Sequence, residues 1–180
     1  MRNIYLIGFM GTGKTTVGRE LARRAARPFL DLDDLIELTA RRSISDIFAK
    51  EGEAAFRRLE KKILAQASRE KGFVIACGGG IVMDQDNIRT MKDTGTIICL
   101  VATPQVILQR TRAQAHRPLL NVSDPEKQID LLLKLRAPYY AQADKVVDTA
   151  QLTPAQVVDR IIRAGAAKKQ NARKRKPKAK

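Results

Sequence analysis

One histidine, two cysteines and no tryptophan occur in 180 residues. The lone His116 and the widely separated Cys77 and Cys99 leave no Cys/His cluster of zinc-binding spacing. Both cysteines sit in or at the end of apolar runs, so each reads as a small core residue rather than half of a disulfide. His116 reads as an exposed loop residue rather than a catalytic base. Aromatics make up only 4%. No apolar stretch approaches the ~20 residues of a membrane-spanning helix. The N-terminus enters a five-residue apolar run and then a glycine turn, which is not the pattern of a leader peptide. A soluble, cytoplasmic protein is expected. No repeat of solenoid period is present.

Acidic residues are scarce too: 19 Asp and Glu stand against 34 Lys and Arg, for a net charge of +15. The shortage is complete in KKQNARKRKPKAK, residues 168–180, with eight basic residues and no acid. That leaves +7 for residues 1–167, a moderately basic body suited to anionic ligands. The tail holds too little apolar surface to offset its ordering entropy, so residues 166–180 are expected to stay disordered. They can bind polyanions weakly and without specificity, since no base-reading pattern accompanies them. The tail is expected to be dispensable for turnover, which a chain cut after Gly165 would test.

Residues 1–165 read as one domain. Short β-branched or aromatic runs at Ile4–Ile7, Pro28–Leu30, Phe73–Ala76, Thr96–Val101 and Lys145–Val147 predict strands, with helical patterns between them. A first helix is expected from Lys14 to about Ala26, and two more between Leu35 and Glu70. Thr103-Pro104, Asp124-Pro125 and Thr153-Pro154 each place an N-cap before a proline at the first helical position. Strands alternating with helices predict an α/β fold with a parallel sheet covered on both faces. Such sheets bind ligands at the carboxyl ends of their strands.

The strongest motif is GFMGTGKTT, residues 8–16, directly after the first strand. It fits G-x-x-x-x-G-K-[ST]: Gly8, then FMGT, then Gly13, Lys14 and Thr15. Glycines let backbone N–H groups turn inward, and the helix that follows adds its positive end. Lysine reaches the β- and γ-phosphates, and the threonine hydroxyl can ligate Mg²⁺. From average composition, a chance match in a chain this long is roughly one in two hundred. The turn therefore predicts a nucleoside triphosphate site.

Four weaker patterns take meaning from it. PFLDLDDLIE, residues 28–37, puts Asp31, Asp33 and Asp34 past the second strand. One carboxylate there can hold Mg²⁺ and another can take a proton from a hydroxyl nucleophile. Asp31 and Asp33, two apart in extended chain, would share a face, while Asp34 would point elsewhere or cap the next helix. CGGG, residues 77–80, permits close backbone approach to a ligand. In FRRLE, residues 56–60, Phe56 faces the core and Glu60 can orient Arg57 three residues back. QRTRAQAHRPLLN, residues 109–121, holds Arg110, Arg112 and Arg117 between two helices, which suits a mobile lid over about 110–123 that excludes water and neutralises charge.

In order and spacing, these segments together resemble the shikimate kinase family from Met1 to about Gly165. GFMGTGKTTVGRELA resembles its Walker A region, FLDLDDLIE its Asp-x-Asp segment and SISDIFAKEGEAAFRRLE its substrate-binding helices. ACGGG, RPLL and LRAPYY resemble its glycine motif, lid and last substrate arginine. The Walker A alone is common to P-loop proteins; the combination is far more specific. The resemblance implies a three-layer P-loop NTPase fold with a five-stranded parallel sheet in the order 2-3-1-4-5. It implies a monomer that transfers the γ-phosphoryl of ATP to the 3-hydroxyl of shikimate, on the route to chorismate and aromatic amino acids. It places Gly11, Thr12, Gly13, Lys14, Thr15 and Thr16 around the phosphates, Thr15 and Asp31 at Mg²⁺, and Asp33 as the candidate base. It assigns Arg57 and Arg136 to the shikimate carboxylate, Gly79 and Gly80 to the substrate-facing backbone and Glu60 to the support of Arg57. Arg117 is implied as the lid arginine directed at the phosphates, and Arg110 as the residue packed on adenine. Two departures are local: Asp34 adds a third acid, and QLTP, residues 151–154, stands where the family often has a basic residue and Asn before the proline.

Rival readings fare worse. A GTPase should show D-x-x-G and N-K-x-D, and neither occurs. A motor should show a long apolar strand ending in Asp or Asp-Glu, whereas Phe73–Ala76 runs into Cys77-Gly78. A kinase for another small polar metabolite, such as gluconate, would share the fold, so the pocket must decide.

Overall fold

The structure, a computed structural model, describes residues 1–112 and 122–163. Five strands form one sheet: β1 (Asn3–Ile7), β2 (Phe29–Asp31), β3 (Val74–Ala76), β4 (Gly95–Val101) and β5 (Lys145–Asp148). Their order is β2-β3-β1-β4-β5, and every pairing is parallel. The order implied by the family resemblance is therefore the one found.

The β1 side chains alternate between two cores, as the period of a strand demands. Tyr5 and Ile7 join Leu32, Ile36, Phe56, Ile63, Ile88 and Met91 on one face. Leu6 joins Val17, Leu21, Val157 and Ile161 on the other. The first face is covered by α2 (Leu32–Ala40), α3 (Ile44–Ala67) and α4 (Gln85–Thr94), with Tyr140 from α6 (Pro125–Tyr140). The second is covered by α1 (Lys14–Ala25) and by α7, residues 154–163. A third cluster, Phe9, Met10, Ile107 and Ile129, packs the glycine turn against α5 (Pro104–Thr111) and α6.

The expected caps are all in place. Thr103, Asp124 and Thr153 accept from the backbone N–H groups of Val106, Lys127 and Gln156. Cys77 and Cys99 are buried and unpaired as thiols. No helix among the described residues is long and apolar enough to cross a membrane.

Three details differ from expectation. The second strand runs one residue further, because Asp31 pairs with Ala76 of β3. The chain then turns at once into α2, with Asp31 as its N-cap accepting from the Asp33 N–H at 3.1 Å. Asp31 and Asp33 are thus not two residues of one extended face, and Asp31, not Asp34, caps the helix. Asp34 points outward, 3.9 Å from Arg19. Finally, α4 was not singled out in advance, although Asp84 caps it and Ile88 and Met91 carry its buried face.

Candidate active site

The adjacent order β2-β3-β1 brings three strand ends side by side. Asp31 closes β2, Cys77–Gly80 follows β3, and Gly8–Thr15 follows β1. Residues far apart in sequence therefore meet along one edge.

The phosphate turn is held from within and from outside. Gly13 takes φ 91°, a left-handed conformation that costs other residues a steric penalty. Thr12 Oγ1 donates to the Phe9 carbonyl at 2.7 Å. Lys14 Nζ donates to the Gly8 and Phe9 carbonyls, both at 3.0 Å. From outside, the Arg110 guanidinium bonds the Gly11 carbonyl at 3.3 Å and the Thr149 carbonyl at 2.9 Å. The Thr149 hydroxyl in turn donates to the Thr12 carbonyl at 3.1 Å. The turn opens onto a cavity of about 390 Å³. It is lined by residues 11–17 together with Arg110, Thr149, Leu152, Pro154 and Val157. The glycine turn offers backbone N–H groups and a lysine, and the rest of the lining adds an arginine, a threonine and the apolar Leu152, Pro154 and Val157. A nucleotide, with a charged phosphate chain and an apolar base, uses both kinds of surface.

Thr15 Oγ1 donates to Asp31 Oδ2 at 2.7 Å. A hydroxyl and a carboxylate at the phosphate end suit Mg²⁺, which takes few protein oxygens and keeps phosphates and water as its other ligands. The described residues hold no cluster of three or more His, Cys, Asp or Glu side chains able to grip a metal alone.

The second half of the site surrounds Gly78, Gly79 and Gly80, and side chains at Gly78 and Gly80 would crowd the charged groups beside them. A Cβ on Gly78 would stand 2.8 Å from Glu60 Oε1 and 2.9 Å from Asp33 Oδ1. One on Gly80 would stand 2.7 Å from Arg57 Cζ. Gly79 lies against Arg136, with Nη1 3.5 Å from where its Cβ would be. Two carboxylates and two guanidinium groups thus converge on three consecutive glycines.

Each charged group is braced. Arg57 Nη1 donates to Glu60 Oε2 at 2.7 Å, the partnership expected from their spacing. The Arg57 Nε–Nη2 edge is taken by Glu53 Oε1, at 3.2 and 2.9 Å. The Phe56 ring lies 5.0 Å from Arg57 Cζ. Arg136 is 3% exposed and lies over the Phe9 ring at 5.5 Å. Its Nε has no hydrogen-bond partner among the described residues, and neither has Glu60 Oε1. Buried arginine nitrogens without partners are costly, and a ligand carboxylate would satisfy one. The Tyr140 hydroxyl donates to the Gly79 carbonyl at 2.7 Å. Burial pushes that hydroxyl up to about 12, so it stays a donor. Burial, reinforced by nearby Asp33, pushes the Glu60 carboxyl up to about 7 against the pull of Arg57 and Arg136.

Of the expected site residues, Lys14, Thr15 and Asp31 meet at the phosphate end. Asp33, Arg57, Glu60, Gly79, Gly80 and Arg136 meet at the glycines, and Arg110 lines the cavity beside Gly11 and Thr149. Arg110 belongs to α5 rather than to a loop. Arg117 and His116, most of the expected lid (residues 113–121) and the basic tail lie outside the described residues. Phe9, Glu53, Tyr140 and Thr149 were not anticipated. Tyr140 had a signal, four residues after Arg136 on one helix face. Phe9 and Thr149 had none, since both act across elements distant in sequence.

A sequence-family model described as shikimate kinase matches residues 10–165. A shikimate kinase of Thermoanaerobacter pseudethanolicus is 46% identical over 164 residues, 91% of this chain and 96% of that protein. One of Caldanaerobacter subterraneus subsp. tengcongensis is 48% identical over 164 residues, with the same coverage of each. The solved structure of shikimate kinase from Acinetobacter baumannii, in complex with shikimate, superposes with a TM-score of 0.91 at 39% identity, covering 94% of this chain and 95% of that one. This chain belongs to the shikimate kinase family.

Proposed function

We propose that this member of the shikimate kinase family transfers the γ-phosphoryl group of ATP to the 3-hydroxyl of shikimate, giving shikimate 3-phosphate and ADP. It is a small-metabolite kinase. The observation that carries the substrate choice is the pair of guanidinium groups, Arg57 and Arg136, set against adjacent glycines within reach of Asp33. A small hydroxylated acid needs that set: forked donors for its carboxylate and an acceptor for a hydroxyl.

In this reading Arg57 and Arg136 hold the carboxylate and thereby aim the ring. The open backbone at Gly79 and Gly80 lets the ring lie close. Asp33 accepts the proton of the attacking hydroxyl. Lys14 and the N–H groups of residues 11–16 hold the phosphate chain, and Arg110, with Leu152 and Pro154, frames the base. Thr15 and Asp31 would hold Mg²⁺, which neutralises charge on the phosphates when bound. Arg117 is the residue proposed to reach the phosphates from a lid. Most of the barrier reduction comes from positioning and charge neutralisation. Residues 1–165 form the catalytic unit, acting as a monomer in the cytoplasm, and residues 166–180 are an appendage able to attract polyanions.

Coupled ADP release with MgATP tests this, with and without shikimate and with gluconate and a nucleoside monophosphate as controls. Strong stimulation by shikimate alone is expected. Stimulation by a control instead would overturn the pocket assignment while leaving the nucleotide site standing.

A further inference from the structure

Arg57 is the half-open member of the arginine pair. Its side chain is 26% exposed, and it carries two carboxylate partners of different character. Glu60 is 1% exposed and bonds only Nη1. Glu53 is 52% exposed and covers the Nε–Nη2 edge with one oxygen, at 3.2 and 2.9 Å. That edge is the fork on which guanidinium groups grip a carboxylate with two parallel bonds. On the other sides of Arg57 the Phe56 ring lies 5.0 Å from Cζ, and a Cβ on Gly80 would stand 2.7 Å from Cζ.

The chain around Glu53 is built to let it leave. Gly52, immediately before it, breaks α3 at φ 79° and ψ 172°. A Cβ there would meet nothing within 4 Å, so the conformation, not crowding, calls for glycine. Glu53 therefore opens a new helical segment. A carboxylate at such a start is favoured by the free N–H groups even without an arginine partner. An exposed ion pair is also weak, because water competes for both partners.

We propose that Glu53 is a specificity-determining residue that occupies the carboxylate fork of Arg57 and must be displaced by the acid group of the substrate. It sets the threshold that a ligand has to pass. A carboxylate with a second anchor at Arg136 displaces it, whereas a neutral analogue cannot. The buried Glu60 stays in place and keeps Arg57 aimed throughout. This inference rests on the reading that Arg57 binds the substrate carboxylate.

The sign of one substitution decides it. Glu53→Gln removes the competing charge at nearly constant size. The KM for shikimate is expected to fall about two- to fivefold, the range that an exposed ion pair is worth, with little change in kcat or in the KM for ATP. The gain should be absent for the methyl ester of shikimate, which has no charged carboxylate to compete for the fork. If Glu53 merely braced Arg57, the KM for shikimate would rise or stay level, and either result overturns the proposal. An equal gain for the ester would overturn it too. Arg57→Ala is measured alongside. If it leaves the KM for shikimate unchanged, the assignment of Arg57 fails, and the competitor role falls with it. If Arg57→Ala raises KM while Glu53→Gln does not lower it, only the competitor role fails.

Discussion

The phosphate turn and the acid pocket lie side by side at one edge of the sheet, yet they are assembled by different means. The turn is nearly all local. Nine consecutive residues, Gly8–Thr16, supply its backbone donors, its lysine and its hydroxyl, and β1 and α1 on either side fix its shape with two braces from Arg110 and Thr149. The pocket is nearly all long-range. Asp33 comes from α2, Arg57 and Glu60 from α3, Gly78–Gly80 from the end of β3 and Arg136 from α6. The turn uses peptide dipoles, which need no neutralising partner. The pocket uses full charges, which burial makes costly unless they are paired. The turn draws its phosphate-binding groups from one segment, whereas the pocket depends on four elements arriving together.

The largest expected effect is on the local side. Lys14→Ala should lower turnover by at least about 10²–10³-fold, the scale for removing one charge-stabilising donor. Its circular dichroism spectrum and melting temperature should stay close to those of the parent chain. Loss of the fold instead would mean that Lys14, bonded to the Gly8 and Phe9 carbonyls, is structural.

Arg136→Ala should act on KM rather than kcat, because it grips a group remote from the reacting oxygen. Truncating one side of a buried charge contact costs about 2–4 kcal/mol, or roughly 30- to 10³-fold in the KM for shikimate. An unchanged KM would detach Arg136 from the pocket.

Glu60 sharpens the contrast through pH. Its carboxyl is raised from 4.5 to about 7 in the folded chain, chiefly by burial. A raised pKa means that the folded state holds the proton where the unfolded state has lost it. The contribution to stability is therefore full below 4.5 and is lost as pH rises through about 7, on the order of 3 kcal/mol in all. Glu60→Gln should remove this fall, so that its melting temperature declines less than the parent's between pH 5 and 8. Identical pH profiles would show that Arg57 holds Glu60 ionised throughout.

The smallest effect lies where the two regions touch. Phe9 belongs to the phosphate turn, but its ring backs Arg136 in the pocket. Phe9→Leu keeps an apolar filler and removes the ring face. A contact worth about 0.5–2 kcal/mol predicts a KM for shikimate raised roughly two- to thirtyfold. The KM for ATP should move much less. An equal rise in both would make Phe9 a packing residue of the turn alone.

Much of this was legible beforehand, for reasons that particular residues make plain. The turn at residues 8–16 could be recognised because its chemistry and its sequence are contiguous. The caps at Thr103, Asp124 and Thr153 could be read because a cap and its helix are neighbours. Arg57 and Glu60 could be paired because three residues on a helix bring side chains together. The geometry of Asp31 and Asp33 could not be read, since where β2 ends depends on how far β3 pairs with it. Glu53 at the Arg57 fork was missed because four residues on a surface helix usually signify an ordinary ion pair.

By itself, the sequence determined the alternation of strands and helices, the phosphate turn and, through the full series of motifs, the family. These rest on periodicity and on contiguous residues, which act over one or two turns of chain. Only the tertiary structure decided that Gly78 must make room for Glu60 and Asp33, and Gly80 for Arg57. It also decided that Phe9 supports Arg136, and that a carboxyl at residue 60 is buried deeply enough to titrate near neutrality. These are matters of desolvation and close approach between distant segments, and they take a definite value only once the sheet has set its strand ends side by side.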